Sequence, residues 1–393
     1  MSLIPEALRH RLIQLRRVLH QYPELSGQET NTAAVISKFL QGLGIECRTN
    51  VAGHGVVADI PGKAGVRCVV LRADTDALPI QEETGLEFAS VHDGIMHACG
   101  HDGHTTMLLG AAALLSQEKD LPAPVRLLFQ PAEEKGTGAI SMIKEGVLEG
   151  AGLIFGGHLD RHYRPGTIVV SEGAVNASSD NFTVEIIGQG AHGARPHESI
   201  DAVVVGSLMI MALQTIVSRE VDPARPSVVS VGQFHAGTAP NVIAGQATLE
   251  GTVRAQDPTV RQQLLNSVRR IAESIAQLHG AKIHIVVTEG TPPLVNLPEL
   301  AGLARRAAVD AVGEGNVLPL KIANMGAEDF SYYLERIPGA YVRFGSQVPG
   351  REGFPAHSSK FDFDEEALAV GAAYYQAIAK IAGRQLQKQA ASI

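Results

Sequence analysis

The sequence is poor in cysteine, in clustered positive charge and in long apolar segments. Its three cysteines, Cys47, Cys68 and Cys99, have no short pair spacing, which argues against a disulfide framework and favours a reducing cytoplasm. The net charge is -8 and no basic stretch recurs, which argues against a nucleic-acid partner. No apolar run predicts a membrane span. The N-terminus predicts an amphipathic helix rather than a signal peptide.

Apolar residues, by contrast, are plentiful. They make up 45% of the 393 residues, enough for a sizeable core, and the length suits two domains. Strand-like and helix-like segments alternate in the first half, which predicts an α/β fold with a mixed, mainly parallel sheet flanked by helices. From Asn181 the order β-α-β-β-α-β is typical of an α+β ferredoxin-like domain. We predict one discontinuous domain over residues 1–179 and 290–393, interrupted by a second over residues 180–289. We expect the tail from Gly383 to fray.

The densest group of chemically reactive side chains is HACGHDGH, from His97 to His104. Cys99 and His101 lie two residues apart, just before a helix predicted to begin at Thr105. A turn there can direct both side chains at one point. Thiolate and imidazole suit zinc, and also cobalt or manganese if oxygen ligands join them. So dense a cluster favours a metal site over incidental surface histidines.

Three apolar strands are each followed by polar residues, in VVLRADTD, VRLLFQPAEE and LIFGGHLD. Because ligands of open α/β sheets bind beyond the carboxyl ends of the strands, Glu133, Glu134 and His158 should share one rim. One carboxylate could bind metal while the other accepts a proton from water. Each feature alone could be structural: PAEE could be a solvated acidic loop, and His158 a structural histidine. His357, in a downstream Gly/Pro-rich loop, could close over the same rim.

In combination these motifs resemble a known family. RADTDALP, HACGHDGH, PAEE, NMGAEDF and AHSSKFDF, in this order and at these separations, are similar to the M20 metallopeptidases. The closest branch comprises amidohydrolases of hippurate-like and auxin-conjugate N-acyl amino acids. The resemblance covers nearly the whole chain. It implies a zinc-exopeptidase-like catalytic domain and a metal-dependent hydrolysis that releases a carboxylic acid and a free amino acid.

The resemblance also implies a site with two divalent metal ions per subunit, Zn, Mn or Co. Glu133 would be the general base, and Asp76 would orient a ligand histidine from behind the site. Asp74 occupies the place of a metal-binding histidine in other branches and is predicted not to bind metal here. Cys99 would bridge the two ions, and the remaining ligands would be His101, Glu134, His158 and His357.

The inserted domain would act as a lid and as the surface of a homodimer. His192 matches a histidine that reaches the active site of the partner subunit and donates to the oxyanion. Asn241 would have a similar polarising role. Arg254 could bind the substrate carboxylate through a bidentate contact. From the residues alone, a loop histidine and a surface arginine remain open as alternatives.

One segment departs from the family pattern. After His158 the sequence reads LDRHYRPGTI, where this branch usually has a Trp-Pro pair. Asp160, Arg161 and His162 add polarity there, which favours a polar or small acyl group over an indole or benzoyl group. Two rival functions remain open. A dipeptidase or aminopeptidase would need an acidic group for a free α-ammonium, and none stands out. A binding protein without turnover would have no use for Glu133.

Overall fold

A computed structural model describes residues 3–350 and 354–391. It divides into two compact units. The larger unit comprises Met1–Gly173, Asn296–Lys321 and Tyr332–Ile393, and the smaller comprises Ala174–Val295 and Ile322–Ser331. The assignment of these units as catalytic domain and lid stays a prediction.

The secondary structure alternates as expected for an α/β chain with an insertion. The strands, numbered in chain order, are β1 (Cys47–Val51), β2 (Gly55–Ile60), β3 (Cys68–Asp74), β4 (Val125–Gln130), β5 (Ala151–Asp160), β6 (Ile168–Val169), β7 (Gly173–Asn176), β8 (Asp180–Ile187), β9 (Ala191–His192), β10 (Ser227–Ala236), β11 (Val242–Ile243), β12 (Gln246–Ala255), β13 (Lys282–Thr288), β14 (Leu294–Asn296), β15 (Val317–Leu318) and β16 (Gly339–Gly345). The helices are α1 (Glu6–Gln21), α2 (Thr30–Gln41), α3 (His101–Leu115), α4 (Gly138–Lys144), α5 (Ala202–Thr215), α6 (Pro258–Leu278), α7 (Pro298–Val312), α8 (Ser331–Leu334) and α9 (Glu366–Ala390).

The larger unit is built on an eight-stranded sheet in the order β1-β2-β4-β3-β5-β16-β6-β15. Its centre, β4, β3, β5 and β16, is parallel. The pairs β1–β2, β2–β4 and β16–β6 are antiparallel, and β15 pairs with β6 in parallel. Every residue of β3 is buried, as expected for a parallel strand covered on both faces. α3 packs on β3 and on α9. The predicted mixed, mainly parallel sheet flanked by helices is confirmed.

Three local predictions in this unit were wrong. α3 begins at His101, four residues before the expected Thr105, because Gly100 takes a left-handed φ of 85° and turns the chain directly into the helix. His158 lies inside β5 rather than after it. The tail expected to fray from Gly383 is part of α9, because Leu386 is buried and anchors the last turns to the core.

The smaller unit has a four-stranded antiparallel sheet in the order β10-β12-β8-β13. With α5 and α6 the chain order is β-α-β-β-α-β, as expected for a ferredoxin-like arrangement. Buried residues alternate along β8, so one face of that strand packs inward. α6 begins with Pro258 and is capped by Asp257, whose carboxylate accepts hydrogen bonds from the N–H groups of Thr259 and Val260.

α5 is apolar on both its buried and its exposed faces. The π-helical turn Ile216–Glu220 continues α5 directly. The combined segment Ala202–Glu220 is long and apolar enough, by length and composition, to cross a membrane, so the expectation that no run could do so was wrong here. Val205, Met209 and Leu213 nevertheless pack in the core of the smaller unit, as in a core helix of a globular domain. The outward face carries Leu208 and Met211, which are exposed.

Candidate metal centre

The rim beyond the central strands of the larger unit collects acids, imidazoles and one thiol. Glu133 and Glu134 follow β4, and His158 lies two residues before the end of β5. Cys99 and His101 stand at the start of α3. Because parallel strands end at the same edge, these separated segments converge there.

All five predicted metal ligands lie close together. The possible ligand atoms of Cys99, His101 and His158 lie within 4.8 Å of one another, and so do those of Cys99, Glu134 and His357. Cys99 Sγ is 3.3 Å from His158 Nε2, and His357 Nε2 is 3.4 Å from Glu134 Oε1. Both groups contain Cys99, so its sulfur atom lies close to the possible ligand atoms of both.

The spacing of the candidate ligand atoms suits coordination of a metal ion better than hydrogen bonding between them. His101 Nε2 is buried and has no hydrogen-bond partner in residues 3–350 and 354–391. It lies 3.8 Å from Glu134 Oε1, too far for a hydrogen bond. Ligands that each stand about 2 Å from one ion are separated by roughly 3 to 4 Å. A thiolate, imidazoles and a carboxylate form a set that zinc accepts, and that cobalt or manganese can share.

Burial makes the free thiol the favoured form of Cys99 without a cation. Its pKa is raised well above the ordinary value by burial and then by the nearby carboxylate of Glu134. A cation would reverse this preference, because coordinated thiols lose their proton. The pKa of His357 is raised by its contact with Glu134.

The buried carboxylate of Asp76 holds several groups of the rim in place. Its carboxylate accepts hydrogen bonds from the backbone N–H groups of Glu133 and Glu134, at 3.1 and 3.0 Å, and from Ser26 Oγ at 2.6 Å. It also contacts His101 Nδ1 at 3.3 Å. Burial works against its ionised form, but these hydrogen bonds lower the pKa of Asp76. One carboxylate therefore orients both a candidate ligand and the loop that carries the candidate base.

Asp74 is engaged by neighbours other than the candidate ligands. Its carboxylate contacts Arg72 Nη1 and His104 Nδ1, each at 2.6 Å. Burial opposes its ionisation, yet the neighbouring His101, His104 and Arg72 lower the pKa of Asp74 well below its usual value. The possible ligand atoms of Asp74 also lie within 4.8 Å of those of His101 and His104, so its exclusion from the metal site stays a prediction.

A comparison with known protein families identifies the family to which this chain belongs. Residues 70–381 match the model of "Peptidase family M20/M25/M40". The chain belongs to this family. The predicted resemblance is thereby confirmed, and this M20 chain is a hydrolase.

Relatives of this M20 chain match it over nearly its whole length. It is 44% identical over 369 residues to the N-acetyl-L-cysteine deacetylase of Bacillus subtilis, covering 94% of this chain and 87% of that protein. It is 40% identical over 370 residues to the thermostable carboxypeptidase 1 of Saccharolobus solfataricus, covering 92% of each. The crystal structure of the YXEP protein of Bacillus subtilis, a dinuclear metal-binding peptidase of the M20 family, superposes with a TM-score of 0.85 at 38% identity. That match covers 96% of this chain and 99% of that one.

Three predicted site residues of the M20 chain belong to the smaller unit. His192, in β9, is exposed, and Asn241 lies beside it because Gly193 N–H donates to the Asn241 carbonyl at 2.8 Å. Ala194 N–H donates to His192 Nδ1 at 3.1 Å, so a neutral His192 carries its proton on Nε2 and can donate there. Arg254, at the end of β12, donates to the carbonyl of Met325 at 3.4 Å.

Sequence reasoning missed one buried acid that supports the rim. Glu29 is fully buried, and its Oε1 accepts the N–H of Ala132 at 2.9 Å. Ala132 has a φ of 55°, which is unusual for a residue with a side chain. Glu29 and Asp76 together bind the N–H groups of three consecutive residues, 132–134. Nothing in the spacing of two segments one hundred residues apart could have indicated this contact.

Proposed function

We propose that this M20 hydrolase cleaves the amide bond of N-acyl amino acids, releasing a carboxylic acid and a free amino acid. The observation that carries the proposal is the convergence of five metal-binding side chains and Glu133 on one rim of one unit. The name of the Bacillus relative, an N-acetyl-L-cysteine deacetylase, supports the substrate class.

The residues divide into metal ligands and a base. Two divalent ions, Zn, Mn or Co, would be held by Cys99, His101, Glu134, His158 and His357. When bound, such ions polarise the amide carbonyl and lower the pKa of a water molecule. Glu133 accepts a proton from the attacking water and delivers it to the leaving nitrogen. Asp76 keeps His101 and the Glu133 loop in place.

The smaller unit would supply the contacts to the substrate and the homodimer surface. His192 Nε2–H and the Asn241 side chain donate to the carbonyl oxygen as negative charge develops. Arg254 binds the substrate carboxylate. The uncharged exposed face of α5, with Leu208 and Met211, supports dimerisation through this unit, and His192 would act on the partner subunit's site. Three free cysteines support a cytoplasmic location.

The segment after His158 supports a small or polar acyl group such as acetyl. Asp160 accepts hydrogen bonds from the backbone N–H and ring Nδ1 of His162, at 2.9 and 2.8 Å. These polar groups stand where the branch usually has Trp-Pro, and they offer less apolar surface to an aromatic ring.

A peptidase is the second candidate, favoured by the 40% identity to a thermostable carboxypeptidase. These functions differ in what must lie on the carbonyl side of the scissile amide bond. An amidohydrolase of this kind accepts an acetyl group, a carboxypeptidase a longer peptide, and an aminopeptidase or dipeptidase a free α-ammonium.

The deciding experiment is a substrate panel on purified protein treated with chelator and then with Zn²⁺, Mn²⁺ or Co²⁺. The panel compares N-acetyl and N-benzoyl amino acids, free dipeptides, blocked peptides and N-acetyl amino acid amides. We expect N-acetyl amino acids to be cleaved fastest, chelator to abolish turnover, a divalent ion to restore it, and amidation of the carboxylate to slow it. Faster cleavage of free dipeptides or blocked peptides would establish the peptidase instead. Unchanged activity in chelator would contradict the metal site.

A further inference from the structure

His104 is a buried histidine of the HACGHDGH motif that the proposed chemistry does not use. It lies in the first turn of α3, three residues after His101. Its Nδ1 is 2.6 Å from Asp74 Oδ1, and its Nε2 is 3.0 Å from the backbone nitrogen of Leu159. Both ring nitrogens therefore have a partner inside the larger unit.

The partners fix where the ring proton lies. A backbone N–H can only donate, so Nε2 of His104 must accept from Leu159 and carries no proton. Nδ1 then carries the proton and donates to Asp74, whose other oxygen is held by Arg72. The two contacts therefore define a single tautomer of His104, with its proton on Nδ1. Although its ligand atoms lie within 4.8 Å of those of Asp74 and His101, no lone pair is left for a metal.

The Leu159 peptide links His104 to a candidate ligand. Its N–H is bound by His104, and its carbonyl accepts the Nδ1–H of His158 at 2.7 Å. This second contact leaves Nε2 of His158 as the metal-facing nitrogen, 3.3 Å from Cys99 Sγ. The rings of His104 and His158 also touch edge to face, with centroids 4.5 Å apart.

We propose that His104 is a positioning residue. Through its fixed tautomer it anchors the Leu159 peptide to Asp74, and that peptide sets the tautomer and orientation of His158. The inference rests on the proposed metal centre, where His158 is a ligand. Partners of this kind typically change metal affinity by about 10- to 100-fold.

The first test reads the tautomer directly. Nitrogen-15 NMR of the metal-free full chain with labelled histidine distinguishes the two neutral tautomers from the charged ring, and His104→Gln assigns the signal. We expect the proton of His104 to lie on Nδ1 and Nε2 to carry none, as the hydrogen bonds with Asp74 and Leu159 require. A proton on Nε2 would overturn the proposal. No metal or substrate enters this measurement.

The second test is metal binding to His104→Phe and His104→Gln. Titration with Co²⁺, followed by calorimetry and by the cobalt–thiolate absorption of Cys99, should show one of two sites weakened about 10- to 100-fold in His104→Phe. His104→Gln keeps an oxygen that can accept from Leu159 and should recover part of this loss. The control is His92→Asn, which removes a histidine bound to the Pro23 carbonyl in the preceding loop.

The outcomes separate the two proposals. Wild-type affinity at both sites in folded His104→Phe would refute the positioning role and leave the function intact. A wild-type protein that binds no divalent ion would refute the proposed function, while the NMR result would still decide the tautomer. If His104→Phe fails to fold, His104→Gln and the NMR signal of the unmodified chain carry the test.

Discussion

The candidate ligands in the larger unit and the predicted contact residues in the smaller unit are held in different ways. His101 is 1% exposed and rests on Asp76, which itself accepts hydrogen bonds from Glu133, Glu134 and Ser26. His192 is exposed, and its ring accepts a hydrogen bond from the neighbouring Ala194 N–H. The difference supports the proposal that the candidate ligands are arranged within the larger unit. We therefore expect that the groups of the smaller unit can be removed without changing the arrangement of these ligands.

Glu133→Ala gives the largest expected effect and tests the division between base and ligand within the rim. Turnover should fall about 10²- to 10⁴-fold, because general base catalysis is lost. Metal content, measured by elemental analysis, should equal that of the wild type. Glu145→Ala, which removes an exposed acid after α4, is the matched control. Loss of a metal ion from Glu133→Ala would show that Glu133 is a ligand.

Arg16→Met extends the comparison of the two units to the free energy of unfolding. Arg16 is fully buried and contacts Asp102, Asp362 and Glu365 at 2.9, 3.3 and 3.4 Å. Its removal leaves Asp102 charged and buried, so the free energy of unfolding should fall by about 3 to 5 kcal/mol. Arg270→Met, which breaks an exposed pair with Glu220 in the smaller unit, should cost at most about 1 kcal/mol. Chemical denaturation measures both.

The stabilisation by the Arg16–Asp102 ion pair should depend on pH. Burial alone would raise the pKa of Asp102, but Arg16 and His20 hold that pKa below its ordinary value. A lowered carboxyl pKa stabilises the fold above the pKa of the unfolded chain, about 4, and this stabilisation is lost as the pH falls. The difference between wild type and Arg16→Met should therefore shrink below pH 4. A constant difference would indicate that packing, not charge, explains the loss.

His192→Ala tests whether this side chain of the smaller unit contributes only to stabilising the transition state. Removal of one oxyanion donor should lower kcat about 10²- to 10³-fold. Metal content and unfolding should not change, because the ring is exposed and accepts a hydrogen bond from its own loop, from the N–H of Ala194. The control is His197→Ala, which removes another exposed histidine of this segment. A weakened metal site in His192→Ala would contradict the independence of the two units.

Asp76→Asn gives the smallest expected effect on the rim. The amide has one oxygen in place of two, so it cannot accept from Ser26, Glu133 and Glu134 and also orient His101. Metal affinity should fall about 10- to 100-fold, measured by competition with a chelator. Ser26→Ala removes one of these hydrogen bonds and should have a smaller effect. Equal affinities for Asp76→Asn and wild type would show that the rim does not depend on this carboxylate.

The convergence of Glu134 and His158 could be predicted from the sequence, because an apolar strand followed by polar residues marks one edge of a parallel sheet. The helix α6 could also be predicted, because apolar residues recur at helical spacing in its sequence, as at Leu264, Leu265 and Val268, and Pro258 marks its start. Both signals are local, and neither depends on which segments meet in space.

The start of α3 and the supporting contacts could not be predicted in this way. Gly, His and Asp are poor helix formers, so HDGHTT reads as a loop, yet burial against β3 and α9 makes it helical. His104 finds its partners in β3 and β5, and Glu29 finds its partner beside Glu133. Such pairings depend on tertiary packing, for which one sequence has no signal.

His357 differs from the other candidate ligands in that its side chain is 54% exposed. It stands in a loop, with a φ of 69°, and its backbone N–H donates to the Ala98 carbonyl at 2.8 Å. At the proposed metal centre, an ion could therefore enter or leave past His357 while the buried ligands stay in place. We expect His357 to govern how fast cations exchange, and we expect chelators to extract an ion bound by His357 before one bound only by buried ligands.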